Sequence, residues 1–268
     1  MSMVLSMGLV SQEELIESEG ALQIGNSDDP TPDAGTIRWN GNDFEGYNGT
    51  AWVSFTQGTN YIYDIENNRY RITTIGAQTW MADNLRVTRY NDGTLIPQVL
   101  NNNMTWASLT TPAYTWYFGV DEIGNEFRGA DSGALYNFYV VADTNSRNVC
   151  PVGWHVPTKA EWETLAATLG GEAVAGAKLK TTGVERWNMP NTNATNEVKF
   201  NAIPGGQRQN DGSFTDELTS AAYWWTSSLF DADPDLLCHY TAVDFLGEEL
   251  IITFSTKEPG RSIRCVKD

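Results

Sequence analysis

Four short stretches constrain this chain more than anything else in it: Cys150-Pro-Val-Gly-Trp-His-Val-Pro-Thr158, Phe200-Asn-Ala-Ile-Pro-Gly-Gly206, Tyr223-Trp-Trp-Thr-Ser-Ser228 and Arg261-Ser-Ile-Arg-Cys-Val266. They lie in order over 117 residues. Each joins aromatic or Cys side chains, which bury much surface per residue, to Gly, Pro or Ser, which favour turns. A chain marked this way is pinned at intervals rather than carried by long regular elements. The pattern predicts a loop-rich β domain that serves as a binding scaffold, not a catalytic framework.

The chain before this domain has a different character. Residues 1–57 hold nine acidic residues (Glu13, Glu14, Glu17, Glu19, Asp28, Asp29, Asp33, Asp43, Glu45) against Arg38 alone, so they carry −8 of the net −17. Ser11 and Glu14 form a capping-box pattern for a short helix, and Asn26 to Gly35 is a polar, turn-rich linker. Thr36 to Ser54 then alternates short β runs with Asn-Gly turns. Two or three short strands cannot bury enough surface by themselves, so they need either the main domain or copies of themselves. They resemble the short β segments of trimeric tail-fibre and adhesin stalks. Residues 1–57 are therefore expected to be a docking and oligomerisation arm, and 58–268 the globular domain.

Within that domain, Tyr61–Ile65 and Arg69–Thr74 flank Asn67-Asn68 as a hairpin. Thr158 and Glu161 form a second capping box. Behind it Trp162, Leu165, Ala166 and Leu169 share one helical face until Gly170-Gly171. A second helix over Glu172–Lys180 is interrupted by Gly176, and further strands are expected over 223–227, 240–245, 250–255 and 263–267.

A net charge of −17 argues against nucleic-acid and anionic-membrane partners, which require clustered Lys and Arg. No stretch approaches the ~20 apolar residues of a membrane span. The first ten residues are apolar but lack the basic n-region of a secretion signal, so they are expected to be an arm that buries itself in a partner.

Further anchors complete a recognisable set: Asp64-Ile to Arg71-Ile, Ile75-Gly-Ala-Gln-Thr-Trp-Met-Ala-Asp-Asn-Leu85, Tyr90-Asn-Asp-Gly-Thr94 and Gly133-Ala-Leu-Tyr-Asn-Phe-Tyr139. With the four stretches above, they resemble the Fibrobacter succinogenes major paralogous domain from about Tyr61 to Asp268. That family looks related to the formylglycine-generating-enzyme branch of the C-type-lectin-like fold, through Gly153 to Trp162 and Arg264-Cys-Val. The resemblance implies an α+β, C-type-lectin-like domain. It would have a small twisted antiparallel sheet, one to two helices and long loops, following the N-terminal β-rich oligomerisation arm. It also implies a structural disulfide between Cys150 and Cys265, because Cys265 matches the end-of-domain position. The enzyme branch needs a close Cys pair to bind copper, and none remains once Cys150 and Cys265 are joined.

Other chemistry is sparse. Cys238 and His239 are neighbours expected on a strand, so their side chains point to opposite faces and make no catalytic dyad. His155, between Trp154 and Val156, is expected in a turn or core role. Asp231, Asp233 and Asp235 could offer a calcium ion three carboxylates, although no EF-hand spacing is present. Trp106, Trp116, Tyr117, Trp187, Trp224 and Trp225 are the candidate ligand surface, since flat aromatics stack on sugars and anchor interfaces. Of the adjacent pair Trp224 and Trp225, one is expected to face the core and the other outward. The expected function is non-enzymatic: a structural or receptor-binding component of an extracellular particle such as a phage tail or contractile injection system. In that setting the chain is expected to be a homotrimer docked to other subunits through residues 1–57. The alternative is a bacterial surface adhesin that binds carbohydrate.

Overall fold

The computed structural model describes residues 32–39, 44–54, 60–100, 102–120, 126–128, 132–142, 147–214 and 217–268. The Ser11–Glu14 capping box, the apolar first ten residues and most of the acidic linker lie outside the described residues.

The largest assembly is an eight-stranded antiparallel sheet. Its strands are β1 (Ile37–Trp39), β2 (Phe44–Tyr47), β3 (Trp52–Ser54), β4 (Asn60–Tyr63), β5 (Arg69–Ile75), β6 (Gln78–Met81), β11 (Trp154–His155) and β15 (Val266–Lys267). Their order is β1-β2-β3-β4-β5-β6-β15-β11. The long strands β12 (Ala221–Leu229), β13 (Leu237–Asp244) and β14 (Ile251–Thr256) form a separate antiparallel sheet in that order. Two small ribbons pair β7 (Tyr114–Trp116) with β10 (Ala134–Tyr136), and β8 (Phe118–Val120) with β9 (Glu126–Arg128). Helix α1 (Asn103–Ala107) and helix α2 (Phe138–Val141) are single turns, and only α3 (Lys159–Thr168) and α4 (Glu172–Leu179) are longer.

This corrects the expected fold class. The protein is mostly β, and an α+β, C-type-lectin-like domain with a small sheet does not form. The reason lies in strand length. Strands β1 to β3, β11 and β15 have two to four residues each, too few to show a period, yet each extends the main sheet.

The strands of the arm are built into the main sheet. Strand β3 pairs with β4, with Trp52 opposite Tyr61. Glu45 on β2 is fully buried and takes Arg38 at 3.0 Å and Arg69 of β5 at 3.4 Å. The Arg38 guanidinium in turn lies 3.9 Å over the Trp52 ring and 4.7 Å over that of Tyr63. Of the two partners these strands could have used, the main domain supplies one.

Helix α3 begins at the expected box: Thr158 Oγ1 accepts from Glu161 N at 3.2 Å, and Glu161 Oε2 accepts from Thr158 N at 2.7 Å. Its Trp162 packs 4.8 Å from Trp80 and stacks 5.8 Å from Trp224. Gly176 does not end α4. A Cβ there would overlap the Glu249 carbonyl, so Gly lets the helix approach that backbone closely.

Two apolar clusters hold the fold. One gathers Tyr70, Tyr136, Phe138, Trp225 and the Cys150–Cys265 pair, and the other Trp80, Trp162, Phe200 and Trp224. Trp224 and Trp225 alternate as strand neighbours must, but both are buried, because this part of β12 has a cluster on each face. The expectation that one would face outward is thereby corrected.

Candidate functional site

Two of the four signature stretches meet at one buried side chain, Asn84, and a third reaches it through Arg264. Its Oδ1 accepts from Trp224 Nε1 at 2.8 Å and from Arg264 Nε at 2.7 Å. Its Nδ2 donates to the Ser132 carbonyl at 2.7 Å and to Ser262 Oγ at 3.2 Å. The Arg264 guanidinium also donates to the Phe200 carbonyl and, at 2.9 Å, to that of Asn201. It lies 4.3 Å over the Phe200 ring. One amide thus ties together residues far apart in sequence, and all four of its hydrogen-bonding valences are used. Gly133 has to be Gly beside it: its φ is +88°, and an added Cβ would lie 2.5 Å from the Asn84 Cβ.

The nearby Cys150–Cys265 disulfide is formed, with the two Cα atoms 6.0 Å apart. These groups bind the chain to itself. Burial pushes the Arg264 guanidinium down to about 9, yet it stays charged at neutral pH and is held by carbonyls and rings instead of carboxylates.

The candidate ligand aromatics are largely core. Trp106, Trp187, Trp224, Trp225 and Tyr117 are buried. Trp106 lies under Arg208, whose guanidinium is 4.4 Å above its ring and donates to the carbonyls of Gly212, Val99 and Leu100 at 2.6 to 2.9 Å. Trp187 lies beside the buried Lys180, whose Nζ donates to the carbonyls of Thr192, Asp244 and Gly247 at 2.8 to 3.1 Å. Tyr117 packs on Phe214 and against Gly206. Trp116 alone of this set is only partly buried, packed against the core and edge-on to Tyr114. The six residues therefore form no continuous ligand face. The buried cations that organise three of them, Arg208, Lys180 and Arg264, carry no local pattern that marks them as inward-facing.

The titratable candidates are equally committed. His155 sits between two carboxylates, with Nδ1 2.6 Å from Asp268 Oδ1 and Nε2 2.8 Å from Glu161 Oε1. Burial lowers its affinity for a proton, but the hydrogen bonds to Asp268 and Glu161 outweigh that and raise its pKa above the ordinary value. Cys238 is buried, and burial pushes its thiol up to about 12, far from a nucleophile's range. His239 packs edge-on to Phe230. Asp231, Asp233 and Asp235 lie on the turn between β12 and β13, where Asp233 Oδ1 accepts from Leu236 N at 3.3 Å. Among the described residues, no three His, Cys, Asp or Glu side chains converge as metal ligands.

A surface feature that sequence reasoning missed lies beside that turn. Phe230 and Phe254 stack with ring centroids 4.0 Å apart, and His239 stands edge-on to both. Phe254 is 45% exposed, Leu229 40% and Leu236 63%. The available signal was the alternation along Ile251–Thr256 next to a phenylalanine flanking an acidic turn.

Fold and site together define a disulfide-closed, mostly-β domain whose characteristic residues form an internal polar hub. The chain belongs to the Fibrobacter succinogenes major domain family, whose model matches residues 73–267. Comparison with curated proteins and with solved structures gives no match.

Proposed function

We propose that this chain is a non-enzymatic binding component displayed outside the cytosol, as part of a phage tail or contractile injection device, with residues 1–57 as its mount. The observation that carries this reading is the position of β1 to β3. They form one margin of the eight-stranded sheet, and no strand lies beyond β1 among the described residues. Ile37 and Phe44 stay exposed there. A margin of this kind suits docking to other subunits or to two further copies of the chain. The remaining chemistry agrees: both histidines, the free thiol and the buried cations are tied into packing or hydrogen bonds. Calcium at Asp231, Asp233 and Asp235 forms no part of this reading.

The Cys150–Cys265 bridge favours a second placement, as a carbohydrate-binding adhesin on a bacterial surface, because such bonds persist where the surroundings are oxidising. Peptide mass spectrometry of gradient-purified particles and of protease-shaved cells separates the two. Co-sedimentation with particles supports the first reading. Loss on shaving, with no signal in particles, moves the chain to the cell surface. A purely cytosolic protein would sink both. Light scattering of the full chain should find a trimer.

A further inference from the structure

We infer that the outer edge of β14 is a docking edge for an extended polypeptide strand with an apolar centre and basic residues at both ends. This inference rests on the reading of the domain as a binding module and names its surface and partner chemistry.

Strand β14 is the last of its sheet, and no bridge or backbone hydrogen bond reaches its outer side among the described residues. Strand β12, at the opposite margin, is covered by bridges from Gly206 and Ser262. Exposed edges in soluble proteins are usually blunted by Lys, Pro or a bulge. Ile251-Ile-Thr-Phe-Ser-Thr256 has no Lys or Pro and pairs with β13 without a register shift. Lys257, just beyond it, is held away, donating to the carbonyls of Pro234 and Asp235 at 3.0 and 2.7 Å. A pairing-competent edge therefore lies open beside the exposed Phe254, which stacks on the partly buried Phe230, and the exposed Leu236.

Charge selects the occupant. Glu248 and Glu249 precede β14, and the turn bearing Asp231, Asp233 and Asp235 lies at its far end, fixed there by Lys257. A second copy pairing antiparallel would set the acidic start of one strand against the acidic turn of the other. With a net charge of −17 on each chain, that pairing is repelled. A strand with Lys or Arg at its ends meets attraction at both, while its backbone completes the ladder and alternate apolar side chains rest on Phe254.

The test uses the full chain and a labelled peptide, Lys-Lys-Val-Thr-Val-Thr-Val-Lys-Lys, read by fluorescence anisotropy. Two controls are a Glu-ended peptide of the same core and a Lys-ended peptide N-methylated on alternate residues. Binding should be seen for the plain Lys-ended peptide alone and should weaken with salt. Phe254→Lys should weaken it by about tenfold or more. The N-methylated peptide keeps its charge and side chains, so its loss of binding isolates backbone pairing without relying on a variant's folding. Equal binding of the N-methylated peptide, equal binding of the Glu-ended peptide, or no binding at all overturns the inference. So does a dimer of the full chain that Phe254→Lys dissolves, since that would make a second copy the occupant. None of these readouts depends on where the protein is found, so failure here and failure of the particle or adhesin placement are distinguishable.

Discussion

At the scale of single residues, the molecule depends on buried polar groups whose partners come from distant parts of the chain. Asn84 is the sharpest case. Asn84→Ala removes the acceptor shared by Trp224 Nε1 and Arg264 Nε and the donor to Ser132 and Ser262. Leaving a buried guanidinium and an indole under-satisfied should cost about 3 kcal/mol, measurable as a lower midpoint in urea unfolding. His155 gives a prediction with a sign. Neutral imidazole has a single N–H, yet both ring nitrogens lie within hydrogen-bond distance of carboxylates, so the doubly protonated form fits the site. Its folded-state pKa is raised. Its contribution to stability is therefore full below the ordinary value of about 6.5 and is lost as pH rises through the raised one. NMR titration should find that imidazole titrating above an unfolded-state histidine, and His155→Gln should flatten the corresponding part of the stability profile. Neither role was legible beforehand. Asn84 lies in a stretch that repeats no period, and the carboxylates beside His155 are 6 and 113 residues away.

At the scale of elements, local signals were legible and distant pairings were not. The capping box at Thr158, the face of Trp162, Leu165 and Ala166, and the hairpin around Asn67 all follow from neighbours within a few residues. The main sheet does not, because Val266 of β15 pairs with Trp80 of β6, and His155 of β11 pairs with Val266. No short window encodes such a partner, and two-residue strands carry no alternation. The same limit applies to the buried Trp residues, since a strand's period does not say whether its second face is also covered. For strands β1 to β3 the consequence is concrete. A chain starting at residue 58 loses Glu45 from beneath Arg69 and bares the edge of β4. It should melt at a lower temperature than a chain starting at residue 32 and aggregate more readily, as heating followed by light scattering would reveal. Equal melting of the two fragments would mean that β1 to β3 add nothing to the fold.

At the scale of the whole molecule, one covalent link and one margin govern behaviour. The Cys150–Cys265 bridge closes a loop with a sequence separation of 115 residues. On the chain-entropy account, losing it through Cys150→Ser should cost about 4 to 5 kcal/mol, visible as a fall in melting temperature that added reductant reproduces in the parent chain. The position of that bridge matters again once the molecule is pulled. Strand β1 is one outer strand of the main sheet and β11 the other; Cys150 lies four residues before Trp154 of β11, and Cys265 directly precedes β15. A load entering at a tethered N-terminal end would peel the sheet from its β1 margin inwards. Residues between the two cysteines cannot pay out, so at roughly 3.4 Å per residue about 390 Å of chain stays withheld. Strands β12 to β14, and with them the open edge of β14, lie inside that locked length. A molecule anchored at one end and gripping at the other would thus yield first near its anchor while its grip remained folded. In single-molecule stretching, the reduced protein should release that extra length and the oxidised one should not.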